Sequence, residues 1–348
     1  MRAAENLEGL DLDSGWHVDK LLKRPPQGTG GYSSFCYVAS NKEGVKAFLK
    51  ALDFSAALGE EDPARSMYYL TSAYDVERNL LHKCKDKKLR RVVVPLADGT
   101  AKVSGNFGLL GNVPYLIFAM ATGDIRSEVA RWKRFDLAWA LRSLHHSATG
   151  LQELHGIGIA HQDVKPSNVL VFPVEGSKLT DLGSASQVGY PSRSDKKVVP
   201  GDVSYATPEQ WYGWSQSPDF SNRYLVDLYR LGGLIFFFFA GCSATDAIQL
   251  KFSIKYGKEF TRSDFVGDLP YMQHAFEEAI NDLRALVQKA ALDLTDEIVM
   301  IAQQLCDPDP RRRGDPIARA AAYRQPHDIQ AYVSRFDRLA KTAEIRMI

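Results

Sequence analysis

Between Ile159 and Ala185 the chain reads IAHQDVKPSNVLVFPVEGSKLTDLGSA. It holds four polar side chains with the types and offsets of a reaction centre: Asp163, Lys165 two residues on, Asn168 three further, and Asp181 thirteen past Asn168. A carboxylate can orient an attacking hydroxyl and take its proton. An ammonium group can meet the charge on a phosphoryl group in transit, and an amide oxygen with a second carboxylate can hold Mg²⁺ on phosphates. Phosphoryl transfer to a hydroxyl requires this set. The spacing suits one bend for residues 163, 165 and 168, followed by a strand pair (Asn168–Phe172, then Lys178–Thr180) that returns Asp181 beside Asn168.

The elements that must position these groups differ between two parts of the chain. Up to about residue 121, β-like runs recur at Ser34–Ser40, Val45–Leu52, Arg91–Leu96 and Tyr115–Met120, separated by turns such as Asn41-Lys42-Glu43-Gly44 and Ala97-Asp98-Gly99. One helical pattern interrupts them at Tyr74–Lys83, with Val76, Leu80 and Leu81 on one face and Glu77 beside it. Beyond Thr122-Gly123-Asp124 the pattern turns helical: Leu137, Leu141, Leu144, Ala148, Leu151 and Leu154 recur at three- and four-residue steps. The pattern predicts a sheet-rich lobe, a hinge at 121–124 and a larger helical lobe, with a ligand cleft between them.

Composition narrows the setting. With 348 residues, 45% hydrophobic and 24% charged, the chain is globular and long enough for two lobes. A formal net charge of +1 gives no electrostatic reason to expect nucleic acid or an anionic membrane as partner. Cys36, Cys84, Cys242 and Cys306 show no CxxC spacing, which argues against a zinc ribbon or a disulfide scaffold and for a reducing, cytoplasmic setting. The polar N-terminus is no signal peptide, and Leu231–Cys242 is too short to span a membrane, reading instead as a buried core helix.

The segment around Asp163 resembles the catalytic loop and metal-binding motif of the eukaryotic-type (Hanks-type) Ser/Thr protein kinases, in the compact style of bacterial members. The resemblance runs over about residues 20–315. It implies an α+β, bilobal protein-kinase-like fold, with a small antiparallel β-rich N-lobe carrying one helix and a larger, mostly helical C-lobe. The implied division is an N-terminal extension (1–19), N-lobe (20–122), C-lobe (123–315) and C-terminal helical tail (316–348).

By the same resemblance, Asp163 accepts the proton, Lys165 meets the γ-phosphoryl group, and Asn168 and Asp181 hold Mg²⁺ or Mn²⁺. Gly28, Thr29, Gly30, Gly31, Tyr32 and Ser33 form the loop over the ATP phosphates, Ser33 standing where a third glycine is usual. Lys50 anchors the phosphates and Glu77 orients it; Lys46 competes for the first role and Glu60 or Glu61 for the second. Phe118 lies at the back of the adenine pocket, the backbones of Ala119 and Met120 bond the base, and Leu170 lies under the purine. Gly201–Glu209 resembles the end of an activation segment, with Glu209 pairing to Arg311 and Asp227 bracing the catalytic loop.

The implied activity is ATP-dependent transfer of phosphate to Ser or Thr hydroxyls of protein substrates, the chain itself included. A nucleotide-binding pseudokinase and a small-molecule phosphotransferase are the alternatives. Some residues depart from the family pattern. Gln162 replaces the arginine that receives an activation-loop phosphate, Asp202 stands where a threonine is usual, Phe48 replaces a small alanine, and Leu182 replaces a phenylalanine.

Overall fold

The structure, a computed structural model, describes residues 2–23, 34–191, 193–214, 219–261, 264–321, 325 and 327–346. The chain divides into two compact units, Met1–Thr122 and Gly123–Ile348.

The first unit is built on β1 (Trp16–Leu21), β2 (Ser34–Asn41), β3 (Lys46–Leu52), α1 (Pro63–Asp86), β4 (Pro95–Lys102) and β5 (Asn112–Ala119). The strands form one antiparallel sheet in the order β1-β2-β3-β5-β4. The predicted turn at residues 41–44 joins β2 to β3. Asn41 Oδ1 accepts from the amides of Glu43 and Val45, and Gly44 takes the left-handed φ of 78° that closes the loop.

Alternation along β3 sends Ala47, Leu49 and Ala51 to one face and Lys50 to the other. The first face packs against Tyr37, Ile117 and the N-terminal segment, where Ala3, Ala4, Leu7 and Leu12 are buried. Tyr37 locks that segment down: its hydroxyl donates to Ala4 O at 2.8 Å, and burial pushes its pKa up to about 12. Residues read from the sequence as an extension therefore cover one face of the sheet. Their sparse apolar positions look like a polar tail until the sheet they cover is known.

Two elements differ from expectation. Helix α1 starts at Pro63, eleven residues before the predicted Tyr74, capped by Asp62 Oδ1 on the Arg65 amide. Its first turns carry little apolar periodicity, so the pattern is silent there. The predicted strand Arg91–Leu96 is displaced: β4 begins at Pro95 and runs through Ala97-Asp98-Gly99, which the sequence reads as a turn. Cross-strand context decides this. A Cβ on Gly99 would lie 2.6 Å from the Tyr115 hydroxyl, so the glycine gives room to a ring. Asp98 pairs with Arg78 at 2.6 Å and His82 at 3.0 Å.

The second unit contains β6 (Gly123–Asp124), α2 (Ile125–Val129), α3 (Leu137–Gly156), β7 (Ile159–Ala160), β8 (Val169–Phe172), β9 (Gly176–Leu179), β10 (Ser186–Gln187) and α4 (Pro208–Tyr212). There follow α5 (Ser221–Ala240), α6 (Ala244–Tyr256), α7 (Phe265–Ala291), α8 (Thr295–Leu305), α9 (Pro316–Ala320) and α10 (Gln330–Ile345). The predicted periodic helix is α3. The apolar run 231–242 lies in α5 and just past its end, and that helix is buried along most of its length. Among the described residues no single helix is long and apolar enough to cross a membrane. Helix α10 packs along α3, where Arg142 holds Asp337 and Glu344, each at 2.8 Å. An antiparallel sheet β6-β8-β9 and a two-stranded pairing of β7 with β10 frame the 161–168 loop.

Candidate functional site

In the first unit, Lys50 Nζ lies 2.9 and 3.2 Å from the two carboxylate oxygens of Glu77. Lys46 is exposed and pairs with Asp19 at 3.1 Å. The sequence left the choice of lysine open; both lysines share one face of β3, and position along the strand settles which one meets Glu77. Lys50 is opposite Leu116 on β5, while Phe118 and Ala119 complete that strand and Met120 follows it. Gly28, Thr29, Gly30, Gly31, Tyr32 and Ser33 lie outside the described residues.

In the second unit the loop after β7 gathers Asp163, Lys165 and Asn168, all buried. Asp227 on α5 braces it from beneath, accepting from the amides of His161 at 2.8 Å and Gln162 at 2.6 Å. Gln162 takes a left-handed φ of 60° and turns its side chain to Ser186 Oγ at 2.6 Å and Ser184 O at 3.2 Å. Position 162 therefore carries a neutral amide already engaged in hydrogen bonds, where an arginine would offer a cation. The β8–β9 hairpin closes with the Thr180 amide on Asn168 O at 3.0 Å, so Asp181 follows directly after the residue bonded to Asn168. Asp181 itself has φ 65°, and its Oδ1 accepts from the Gly183 amide at 3.3 Å. Leu170 is half-buried on β8.

The Asp163 carboxylate takes four donors. Oδ2 receives Asn168 Nδ2 at 3.0 Å and Lys165 Nζ at 3.1 Å; Oδ1 receives the Asp202 amide at 2.8 Å and Arg230 Nη1 at 3.2 Å. About four lone-pair positions exist on a carboxylate, so this one is fully engaged. Lys165 Nζ also reaches Asp202 Oδ2 at 3.2 Å. Burial pushes the Asp202 carboxyl up, but Lys165 and the Ser204 amide outweigh it and hold the group below its ordinary range.

Gly201 lies hard against this centre: a Cβ there would sit 2.3 Å from Asp163 Oδ1 and 2.6 Å from its Cγ. Gly201→Ala is expected to force the segment back and break the Asp202–Asp163 bond, lowering kcat by about 10²-fold. Steady-state kinetics beside a thermal melt checks this, and an unchanged kcat would show the contact to be idle.

Sequence reasoning missed Gly201 and Arg230, and it chose the wrong arginine for Glu209. Arg311 is exposed and pairs with its neighbour Asp309 at 2.8 Å. The buried partner of Glu209 is Arg313, with contacts of 2.7 and 2.9 Å. Only burial separates three consecutive arginines, and no residue pattern shows it. Arg230 left one clue, a cation three residues past Asp227 at the edge of the apolar run that begins at Leu231.

The profile described as the protein kinase domain matches residues 28–319. The chain is 34% identical over 123 residues to serine/threonine-protein kinase PknA of Mycobacterium tuberculosis, covering 35% of this chain and 27% of that protein. Mitogen-activated protein kinase 12 of Danio rerio is 26% identical over 210 residues, 59% of this chain and 52% of its own length. Serine/threonine-protein kinase AfsK of Streptomyces griseus is 35% identical over 88 residues, a quarter of this chain and a tenth of its own. The matches thus span about a tenth to half of these relatives' lengths. With a profile match running through both units, over a β-rich first unit with one long helix and a mostly helical second, this chain belongs to the protein kinase domain family.

Proposed function

We propose that the chain is an ATP-dependent protein serine/threonine kinase, with Asp163 as proton acceptor, Lys165 on the moving phosphoryl group and Lys50, held by Glu77, on the nucleotide phosphates. The observation that carries this reading is the convergence of Lys165 and Asn168 on one Asp163 oxygen, at 3.1 and 3.0 Å. A substrate hydroxyl attacks the γ-phosphorus, the bond to the bridging oxygen breaks, ADP leaves, and the proton passes to Asp163. Three of the four Asp163 donors belong to a backbone, a buried arginine and a short amide. Lys165 is the donor on a flexible stem, so its swing toward the phosphate opens the lone pair that the hydroxyl needs.

Kinases of this family use ATP with a divalent metal ion, and the donors here fit Mg²⁺. Asn168 donates its amide nitrogen to Asp163, which keeps its carbonyl oxygen for a cation. Asp181 adds a half-buried carboxylate. Two hard oxygen ligands suit an ion that completes its shell with phosphate oxygens and water. Among the described residues no cluster of three or more His, Cys, Asp or Glu could bind metal without the nucleotide. When bound, the ion neutralises charge on the phosphates. A cytoplasmic setting fits the four cysteines, none of them paired in a disulfide. Gly28–Ser33, Phe118, Ala119, Met120 and Leu170 are assigned to ATP, and proteins with accessible Ser or Thr are the acceptors.

Labelled ATP with Mg²⁺ and casein tests the reading. Label should reach casein or the chain itself, EDTA should abolish the transfer, and Asp181→Ala should do so with the fold intact. Transfer that survives Asp181→Ala would overturn the metal assignment; no transfer by wild type would overturn the kinase reading. Lys50→Ala is expected to cost at least about 10²-fold in kcat/KM, since the phosphates lose their anchor, while Lys46→Ala stays near wild type. The reverse order would show that the wrong strand lysine has been chosen.

A further inference from the structure

Arg230 sits on α5 among Leu228, Tyr229, Leu231 and Leu234, with its side chain wholly buried. Its Nη1 meets Asp163 Oδ1 at 3.2 Å, its Nη2 meets the backbone oxygen of Asp202 at 3.2 Å, and its Nε has no hydrogen-bond partner. A guanidinium with an unsatisfied N–H is a costly way to fill apolar space, since an aliphatic side chain would pack there without desolvation. Its presence calls for an electrostatic reason.

That reason lies at Asp202. Lys165 stands between two carboxylates, 3.1 Å from Asp163 and 3.2 Å from Asp202. One ammonium serving a buried and a half-buried carboxylate would be held on them by the uncompensated charge and kept from a phosphate. The third carboxylate nearby, Asp227, is occupied by the amides of His161 and Gln162 and by His155 at 2.9 Å. Arg230 brings the Asp163–Lys165–Asp202 group to two charges of each sign, and it does so from a helix that cannot follow the substrate.

We propose that Arg230 and Asp202 are a matched charge pair, in which Arg230 is a positioning residue that fixes Asp163 and frees Lys165 for the transferred phosphoryl group. The proposal deepens the kinase reading and rests on it for the role of Lys165. It also predicts that each member is tolerated only in the company of the other. Removing Arg230 strands the extra carboxylate, whereas removing both leaves Lys165 paired with Asp163 alone.

The experiment is a double-mutant cycle on the full chain: wild type, Arg230→Met, Asp202→Thr and the double variant, assayed with labelled ATP, Mg²⁺ and casein and melted in parallel. Arg230→Met is expected to lower kcat about 10²-fold while KM for ATP stays within about threefold. Adding Asp202→Thr should restore at least about tenfold of the loss and raise the melting temperature of the single variant. Should Arg230→Met not fold, the same cycle run with Arg230→Lys is expected to give a smaller loss with relief of the same sign. A kcat equally low with and without Asp202, or a kcat of Arg230→Met within about threefold of wild type, would overturn the pair. If wild type transfers no label, melting decides: coupling between positions 202 and 230 upholds the pair while the kinase reading falls, and additive melting shifts overturn the pair.

Discussion

Asp163→Ala is expected to lower kcat by about 10²- to 10⁴-fold, the usual worth of a positioned proton acceptor, with KM for ATP little changed because Lys50 and Glu77 lie in the other unit. The loss should not be confined to rate. Arg230 is buried against the Asp163 carboxylate, and stripping one partner from such a pair costs about 3 kcal/mol or more. Asparagine at 163 should rescue neither property. Whichever way its amide points, its NH₂ faces two donors: Asn168 and Lys165 on one side, or the Asp202 amide and Arg230 on the other. Initial rates across ATP and casein concentrations, with a denaturant melt of each variant, check both halves. An Asp163→Asn variant that keeps wild-type kcat would end the assignment of Asp163 as proton acceptor.

The second large effect is on stability. Every N–H of Arg313 is engaged: Nε with Asp307 O at 3.1 Å, Nη1 with Glu209 and Leu225 O, Nη2 with Glu209 and Asp307 O. Its guanidinium also lies 4.9 Å from the centre of the Tyr229 ring. Burial alone would lower its pKa, but Glu209 outweighs that and raises it, so the guanidinium stays charged. Arg313→Ala leaves Glu209 buried without its counter-charge, an expected loss of about 3–5 kcal/mol. At about 2–4 °C per kcal/mol for a unit of this size, the melting temperature should fall by about 10 °C. Lysine, a point charge, cannot reproduce the five-donor fork and should rescue little. Arg311→Ala, by contrast, removes an exposed guanidinium from Asp309, which keeps the backbone amide of residue 311 as a donor, and should cost about 1 kcal/mol. Calorimetry on the three variants separates them; equal melting temperatures for Arg311→Ala and Arg313→Ala would contradict the burial argument.

The contrast between Arg311 and Arg313 also shows where the sequence stops. Reaction chemistry is local: Asp163, Lys165 and Asn168 fall within one bend, and a hairpin needs only alternation and a turn to return Asp181. Those groups were legible because their spacing is set by backbone geometry over few residues. The periodicities of α3 and the sheet strands β2, β3 and β5 were legible for the same reason, each pattern matching the face its own element buries. The register of β4 was not. Gly99 and Asp98 have turn propensity, and only the Tyr115 ring and Arg78 across the strand explain their place in a ladder.

By itself, then, the sequence determined the family resemblance, the two-part division of secondary structure and the bend that gathers Asp163, Lys165 and Asn168, because neighbours along the chain set these. Tertiary structure alone decided which of three arginines is buried with Glu209, which lysine meets Glu77, how the N-terminal segment covers the sheet, and that Arg230 reaches Asp163. Those are questions of desolvation. The energy of a charge depends on what surrounds it in space, and the carboxylates that meet Arg230 and Arg313 come from segments 67 and 104 residues away.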